Sequence, residues 1–281
     1  MTQLPDVDRA FVRLTEGLVH YRHAGEHKAG SPLPLYIVHA GPGSSAGLAP
    51  LIAELGKTRL VIAPDTLGNG DSVGPGIQNP EVAYYADSVV RIMDALKIEK
   101  ADYFGTHTGA HIGVELLLNR PDRIRKAIFD GIGIFPDDLK KEMLANYAPE
   151  IKPDEFGRQF TWAWHFVRDQ ALHFPYFMRD PAHRLSNPMM PADALHRSVT
   201  EVLKALTTYH NGYRAVFRHD TKGRLPLIKN TPLMFMASEP DPLHQYLDDA
   251  VALVPGSKKV FITREQGVAG RVKSITDFLA D

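Results

Sequence analysis

Ala101-Asp102-Tyr103-Phe104-Gly105-Thr106-His107-Thr108-Gly109-Ala110-His111-Ile112 is the stretch on which the reading of the fold turns. A short run of strand character meets a turn flanked by two glycines, and the text from Ala110 to Leu118 continues with helical spacing. Strand, sharp turn and helix in that order project one side chain above the edge of a sheet, at a helix start. Here that side chain is the imidazole of His107.

Working outward, short β-branched runs alternate with helical patterns, which predicts a mostly parallel twisted sheet covered by helices. Phe11 to Leu14 and Leu18 to Arg22 read as an opening hairpin around Glu16-Gly17. Leu35 to Val38 is a buried strand stopping at His39-Ala40-Gly41-Pro42-Gly43, and Leu60 to Ala63 stops at Pro64-Asp65. Asn79 as a cap and Pro80 at the first helical position predict a helix there, carrying Val82, Tyr85, Ala86, Val89, Met93 and Leu96 on its apolar face. Ile124 to Asp130 reads as the next strand. The rhythm then breaks into a helical, aromatic-rich segment. It resumes with strands at Pro232 to Met236 and Lys259 to Ile262 and a helix from about Val268 to Leu279. The expected division is a core of residues 1–134 and 222–281 with a helical cap, 135–221, inserted between them.

The chain has 281 residues, 44% of them hydrophobic, enough for a sizeable single core. A formal charge of -1 gives no global attraction to nucleic acid or to an anionic membrane. With no cysteine, disulfides and thiolate chemistry are excluded. Met1 to Leu14 is charged and lacks the apolar run of a secretion signal, and no apolar stretch approaches the ~20 residues of a membrane span. A cytoplasmic protein with a small-molecule substrate is expected, with homo-oligomerisation left open.

Taken together the landmarks resemble the α/β-hydrolase fold family. His39-Ala40-Gly41-Pro42-Gly43-Ser44-Ser45 is similar to its oxyanion turn, with Ala40 where the family has glycine. Ala63-Pro64-Asp65-Thr66-Leu67-Gly68-Asn69-Gly70-Asp71-Ser72 is similar to the loop after its next strand, and His20-Tyr21-Arg22 with Ala24-Gly25-Glu26 fits the second strand. Ala237-Ser238-Glu239-Pro240-Asp241-Pro242 fits the acid loop and places Asp241 at the triad carboxylate. Gly105 to Gly109 is the nucleophile elbow. Two departures stand out: the elbow carries His107 instead of serine, cysteine or aspartate, and no histidine follows His244, so the usual base is missing.

An elbow imidazole could fill part of that gap if Asp241 steered it, as the acid steers the base of a triad. A helix start disfavours positive charge, so an imidazole neutral at rest and competent to take a proton is expected. The backbone N–H groups of Gly41 and Thr108 would supply an oxyanion hole. The resemblance then implies an enzyme hydrolysing a small hydrophobic ester, lactone or related carbonyl compound. Two alternatives stay open: a lyase or cofactor-free oxygenase using His107 as base, and a non-catalytic small-molecule-binding module in which His107 is a relic.

Asp241 could equally be the N-cap of a helix from Leu243 to Val254. His244 is a surface histidine or a replacement base; Asp130 is a turn former or an alternative acid; Arg264 and Glu265 read as solvated loop charges. His39 reads as structural, and neither Thr106 nor Thr108 projects as a nucleophile would. In the cap, Trp162, Trp164, His165 and Tyr176 are candidate substrate-binding residues, since apolar walls with a few polar tips suit a small-molecule site. His107 and His111 have the four-residue metal spacing but no intervening glutamate and no indicated third ligand, so no metal is expected. No organic cofactor is expected either, because the glycines lack dinucleotide-loop spacing.

Overall fold

The computed structural model describes residues 7–280; residues 1–6, part of the segment read above for a secretion signal, and Asp281 lie outside the described residues. The strands are β1 (Asp8–Arg13), β2 (Leu18–Ala24), β3 (Leu35–Val38), β4 (Val61–Pro64), β5 (Ala101–Thr106), β6 (Ile124–Asp130), β7 (Leu233–Ser238) and β8 (Lys258–Ile262). They form one sheet in the order β1-β2-β4-β3-β5-β6-β7-β8. The β1–β2 and β2–β4 pairs are antiparallel and the remaining pairs parallel. Helices α1 (Ala49–Gly56), α2 (Val82–Ala95) and α3 (Thr108–Asn119) connect the first strands. Five more, α4 (Asp137–Asn146), α5 (Arg158–Leu172), α6 (Ala192–Lys204), α7 (Tyr209–Arg218) and the short α8 (Thr221–Arg224), lie between β6 and β7. The chain ends with α9 (Leu247–Leu253) and α10 (Gly267–Ala280).

Strands buried on both faces carry unbroken apolar text, and β3 and β4 are buried along their whole length. Alternation splits the central strands between two cores. Tyr36, Tyr103, Phe129 and Phe235 face α2 and α3, with successive ring centroids 6.5, 6.4 and 6.0 Å apart. Ile37, Phe104, Ile128 and Met234 face α1 and α10. The helical segment between β6 and β7 has its own apolar cluster, built on Phe166, Tyr176, Tyr209 and Phe217.

One helix start differs from expectation. Asn79 sits at φ 49° in the left-handed region, and α2 begins only at Val82, with no side-chain cap. Glu81 stands at its N-cap and instead binds Arg218 of α7, Arg218 Nε donating at 3.0 Å. The asparagine therefore serves a turn, where its tolerance of positive φ is useful, and Pro80 precedes the helix instead of opening it.

Strand register fixes what can meet at the sheet's carboxyl edge. Thr106 of β5 pairs with Asp130 of β6, which pairs with Met236 of β7. His107 and the loop after β7 thus emerge on the same edge, two strand spacings or about 10 Å apart. Two side chains reaching toward each other can close that gap across the end of β6.

Candidate active site

The elbow is as tight as its glycines imply. A β-carbon on Gly105 would lie 2.3 Å from the Gly109 carbonyl oxygen, and one on Gly109 would lie 2.3 Å from that of Val38. Between them His107 adopts φ 49° and ψ −107°, a conformation that costs a non-glycine residue about 1–3 kcal/mol. Its backbone N–H donates to the Asp130 carbonyl at 3.0 Å, so the neighbouring strand helps hold the strained turn.

Asp241 meets this imidazole. His107 Nε2 lies 2.7 Å from Asp241 Oδ2, across 134 residues of sequence. The other oxygen, Oδ1, accepts from Leu243 N at 2.9 Å and caps the helical turn Pro242–Tyr246. The capping and pairing readings of Asp241 are therefore compatible, one per oxygen. The expected helix from Leu243 to Val254 is split into that turn and α9. Gly131 makes the meeting possible: it sits at φ +73°, and a β-carbon there would lie 2.6 Å from Asp241 Oδ2 and 2.7 Å from His107 Cδ2.

Burial disfavours a charged His107, yet the Asp241 carboxylate beside it overrides this and raises the imidazole above its ordinary 6.5. For Asp241 burial likewise opposes charge, and the imidazole holds the carboxylate below its ordinary 3.8. The expected balance thus tips further toward charge than the helix start alone would dictate. The His107 side chain keeps 37% of its surface exposed, against 12% for Asp241. With Nε2 committed to the carboxylate, Nδ1 is the ring nitrogen left without that bond.

Asp130 is buried nearby. Burial pushes its carboxyl above 3.8, opposed by the Arg271 guanidinium and aided by Asp241. Arg271, from α10, brings its Nε within 3.1 Å of Asp130 Oδ2, while Oδ1 has no hydrogen-bond partner among the described residues. Asp130 is thus a buried carboxyl at the end of β6, beside the Arg271 guanidinium.

On the other side of the elbow, the Gly41 N–H donates to Thr108 Oγ1 at 3.2 Å. One of the two backbone donors expected to form an oxyanion hole is thus engaged by a side chain here. The Thr108 N–H stands in the first turn of α3, where no earlier helical carbonyl can receive it. His39 is buried and locked, with Nδ1 2.8 Å from the Ala40 carbonyl and Nε2 accepting from Thr66 N at 2.9 Å.

A cavity of about 770 Å³ opens beside this turn, between Gly41 to Ser44 and Thr106 on the core and α5 and α6 above. His107 does not line it, although Thr106 immediately before it does. The ring leans instead toward Gly131 and Asp241. The helices between β6 and β7 supply walls through Val167, Gln170, Ala194 and Glu201. None of the four cap residues singled out from sequence is among them. Trp164, 42% exposed, and His165 face solvent, Trp162 stacks on Phe166 at 4.8 Å, and Tyr176 is buried in the cap's own cluster. Gln170 went unread although its spacing pointed inward: Ala163, Phe166, Val167 and Gln170 recur at helical intervals on one face. Its Nε2 donates to Tyr213 Oη at 3.1 Å and lies 3.5 Å from Tyr147 Oη.

The remaining candidates lie apart. His244 is exposed, with Nδ1 2.6 Å from the Asp241 carbonyl and its ring against Phe261, so it does not approach His107. Arg264 spans Glu239 and Asn187 on the surface. His111 turns away from His107, its Nδ1 3.0 Å from Thr221 Oγ1 and 3.3 Å from His219 Nδ1, so the two rings do not converge on one point. Burial, then the His219 and His107 rings, hold His111 well below 6.5. Elsewhere His20, Asp65 and Asp71 bring potential metal-ligand atoms within 4.8 Å of one another. A guanidinium already serves two of them, Arg9 binding His20 Nε2 at 2.9 Å and Asp71 Oδ2 at 2.5 Å, while Asp65 Oδ2 lies 2.8 Å from His20 Nδ1.

A tight strand-to-helix elbow facing an acid loop across a mostly parallel sheet defines a class, and the comparisons agree on it. The family model described as alpha/beta hydrolase fold matches residues 34–262, and the chain belongs to that family. The chain is 37% identical over 176 residues to 2-hydroxymuconate semialdehyde hydrolase of a Pseudomonas species, covering 59% of this chain and 62% of that protein. It thus spans less than two thirds of that relative's length. Epoxide hydrolase A of Mycobacterium thermoresistibile superposes with a TM-score of 0.73 at 17% identity, over 98% of both chains. The enol-lactonase of Burkholderia xenovorans does so at 0.67 and 20% identity, over 97% of this chain and all (100%) of the other. These two likenesses are of fold.

Proposed function

We propose that the protein is a hydrolase of a small, largely apolar ester, lactone or related carbonyl compound, with His107 as its reactive group and Asp241 as the orienting acid. The observation that carries this is the 2.7 Å contact between the elbow imidazole and the acid-loop carboxylate. The strained backbone at His107 adds to it, since such outliers cluster at functional sites. So does the named hydrolase among the relatives.

In this reading Nε2–H donates to Asp241, and the Nδ1 lone pair takes a proton from water as hydroxide adds to the carbonyl carbon. The resulting oxyanion is met by the Thr108 N–H, and by the Gly41 N–H once the Thr108 hydroxyl rotates off it. Collapse breaks the C–O bond, and Nδ1–H returns the proton to the leaving alkoxide. Direct attack by Nδ1, forming an N–C bond and an acyl-imidazole that water later cleaves, uses the same atoms. The substrate's carbonyl would lie at the Gly41–Thr106 end of the cavity, its body between α5 and α6.

The engaged Gly41 N–H favours a second reading, in which His107 removes a proton from a C–H or O–H acid and no oxyanion hole is needed. The two part company on p-nitrophenyl esters of several acyl lengths, assayed with the wild type, His107→Ala and His107→Ser. Hydrolysis that falls by roughly 100-fold or more in His107→Ala supports the first, given the usual worth of a positioned base. Absence of wild-type ester turnover sinks it, and turnover indifferent to His107→Ala removes the imidazole from the chemistry.

A further inference from the structure

The sheet edge from which His107 emerges holds more charge than the proposed chemistry uses. Asp241 pairs with the ring at 2.7 Å. Asp130 ends the neighbouring strand, and its carbonyl accepts the His107 N–H at 3.0 Å. The next residue, Gly131, runs against both partners: a β-carbon on it would lie 2.6 Å from Asp241 Oδ2 and 2.8 Å from His107 Nε2. The Asp130 side chain is buried, and Arg271 reaches it from the second turn of α10 with its own side chain 26% exposed. Nε lies 3.1 Å from Asp130 Oδ2, close enough for an ion pair. Yet neither Nε nor Asp130 Oδ1 has a hydrogen-bond partner among the described residues.

An imidazole beside two carboxylates is held in its charged form by both, and a ring held charged cannot take up a proton. Asp130 favours the charged ring as Asp241 does, and the Arg271 guanidinium opposes it. The same guanidinium favours the ionised forms of Asp130 and Asp241 against the burial of each. It thus faces the ring and both carboxylates together. Two further titratable groups add no charge: burial keeps His111 of α3 well below 6.5, and it raises the Tyr147 hydroxyl, at the end of α4, above 10.

We propose that Arg271 is a positioning residue for the His107–Asp241 pair: its guanidinium offsets the buried Asp130 carboxylate, so that the imidazole answers to one carboxylate instead of two. This rests on reading His107 as the group that takes up a proton. The segment after β8, which holds no histidine, then contributes to the site through a cation.

Nitrogen NMR of the His107 ring across pH tests this without turnover. Asp130→Asn removes a carboxylate and leaves the guanidinium, so the ring midpoint falls by about half a pH unit or more. Adding Arg271→Gln to that variant removes the opposing cation and brings the midpoint back up by a similar amount. Adding Arg271→Lys instead keeps a cation and leaves the midpoint low. A purely structural role does not predict that a second loss restores what the first removed. Circular dichroism establishes that each variant is folded, and Asp130→Ser replaces Asp130→Asn if the latter is not. A midpoint unmoved by replacing Asp130, no recovery with Arg271→Gln, or the same result from Lys and Gln overturns the proposal. The kcat/KM profile for a p-nitrophenyl ester, measured on the same variants, follows the ring if His107 is the base. A ring that moves as expected under an unmoved rate profile sinks the hydrolytic reading and leaves the role of Arg271 standing, so the two failures are told apart.

Discussion

His107 is held by three separate constraints: a left-handed backbone, a hydrogen bond from its N–H to β6, and a carboxylate on its ring. Gly131 is the hinge of the arrangement, because any β-carbon there enters the space between the imidazole and Asp241. Gly131→Ala is therefore predicted to separate the pair and to lower ester turnover by about 100-fold, the typical effect of misplacing a reacting group by about 1 Å. Unchanged steady-state kinetics in this variant would show that the contact is not needed. His107, Asp241 and the glycine-bounded elbow were legible in the sequence, because a turn this tight demands glycine on both sides and the acid loop has its own proline-rich text. The tilt of the ring toward Gly131 was not legible. It depends on which of two neighbouring spaces is open, and that is set by residues from three strands. The engagement of Gly41 by the Thr108 hydroxyl was hidden for the same reason: it joins positions 67 apart in the chain.

Among the elements, α3 and α5 teach opposite lessons. In α5 the aromatic composition pointed to Trp162, Trp164 and His165, whereas the cavity is lined by Val167, Gln170 and Ala171. Composition marks a segment; periodicity selects its face, and here the apolar face packs into the helical segment's own cluster while bulky rings spill onto the surface. In α3 the second histidine belongs to a buried polar cluster that fastens the core helix to α8 and the end of α7. Glu115 binds His219 Nε2 at 2.9 Å and takes a bidentate grip from Arg224, at 2.7 and 2.6 Å. Burial opposes charge on Glu115, but His219 and Arg224 bring it down to about 2. A depressed carboxylate stabilises the fold above its ordinary 4.5, and that contribution is lost as pH falls through the lowered value toward 2. Glu115→Ala is predicted to lower stability in urea unfolding at neutral pH by about 1–3 kcal/mol, leaving donors unpaired. A loss well below 0.5 kcal/mol would mean that the cluster contributes little.

For the whole molecule, the alternation of short buried runs with helical text announced a parallel sheet, and the observed strand order brings β5, β6 and β7 side by side. That adjacency lets an elbow and an acid loop 134 residues apart share one edge. The sequence concealed a charge at the opposite end of the same strand. Asp102 stands within an otherwise apolar run yet is fully buried, gripped by Arg59 at 2.9 Å and by Nε and Nη2 of Arg125, each at 2.8 Å. Partners from β6 and from the turn before β4 are what make a carboxylate tolerable there. Asp102→Ala, which leaves the buried Arg59 without its anion, is predicted to cost about 3–5 kcal/mol of unfolding free energy, read by chemical denaturation. A shift under 1 kcal/mol would argue that water replaces the carboxylate.

The most direct test of the account follows the His107 ring itself by nitrogen NMR across pH, alongside the kcat/KM profile for a p-nitrophenyl ester in the same buffers. The pair with Asp241 raises the imidazole, so the charged pair stabilises the fold below 6.5 and fades as pH climbs through the raised value. A base works when neutral, so turnover should climb over that same interval and level off above it. The predicted result is a ring midpoint above 6.5 that coincides with the kinetic midpoint, both moving downward in Asp241→Asn. A ring that titrates below 6.5, or a rate profile that ignores its titration, would contradict an imidazole steered by Asp241 as the group that performs the chemistry.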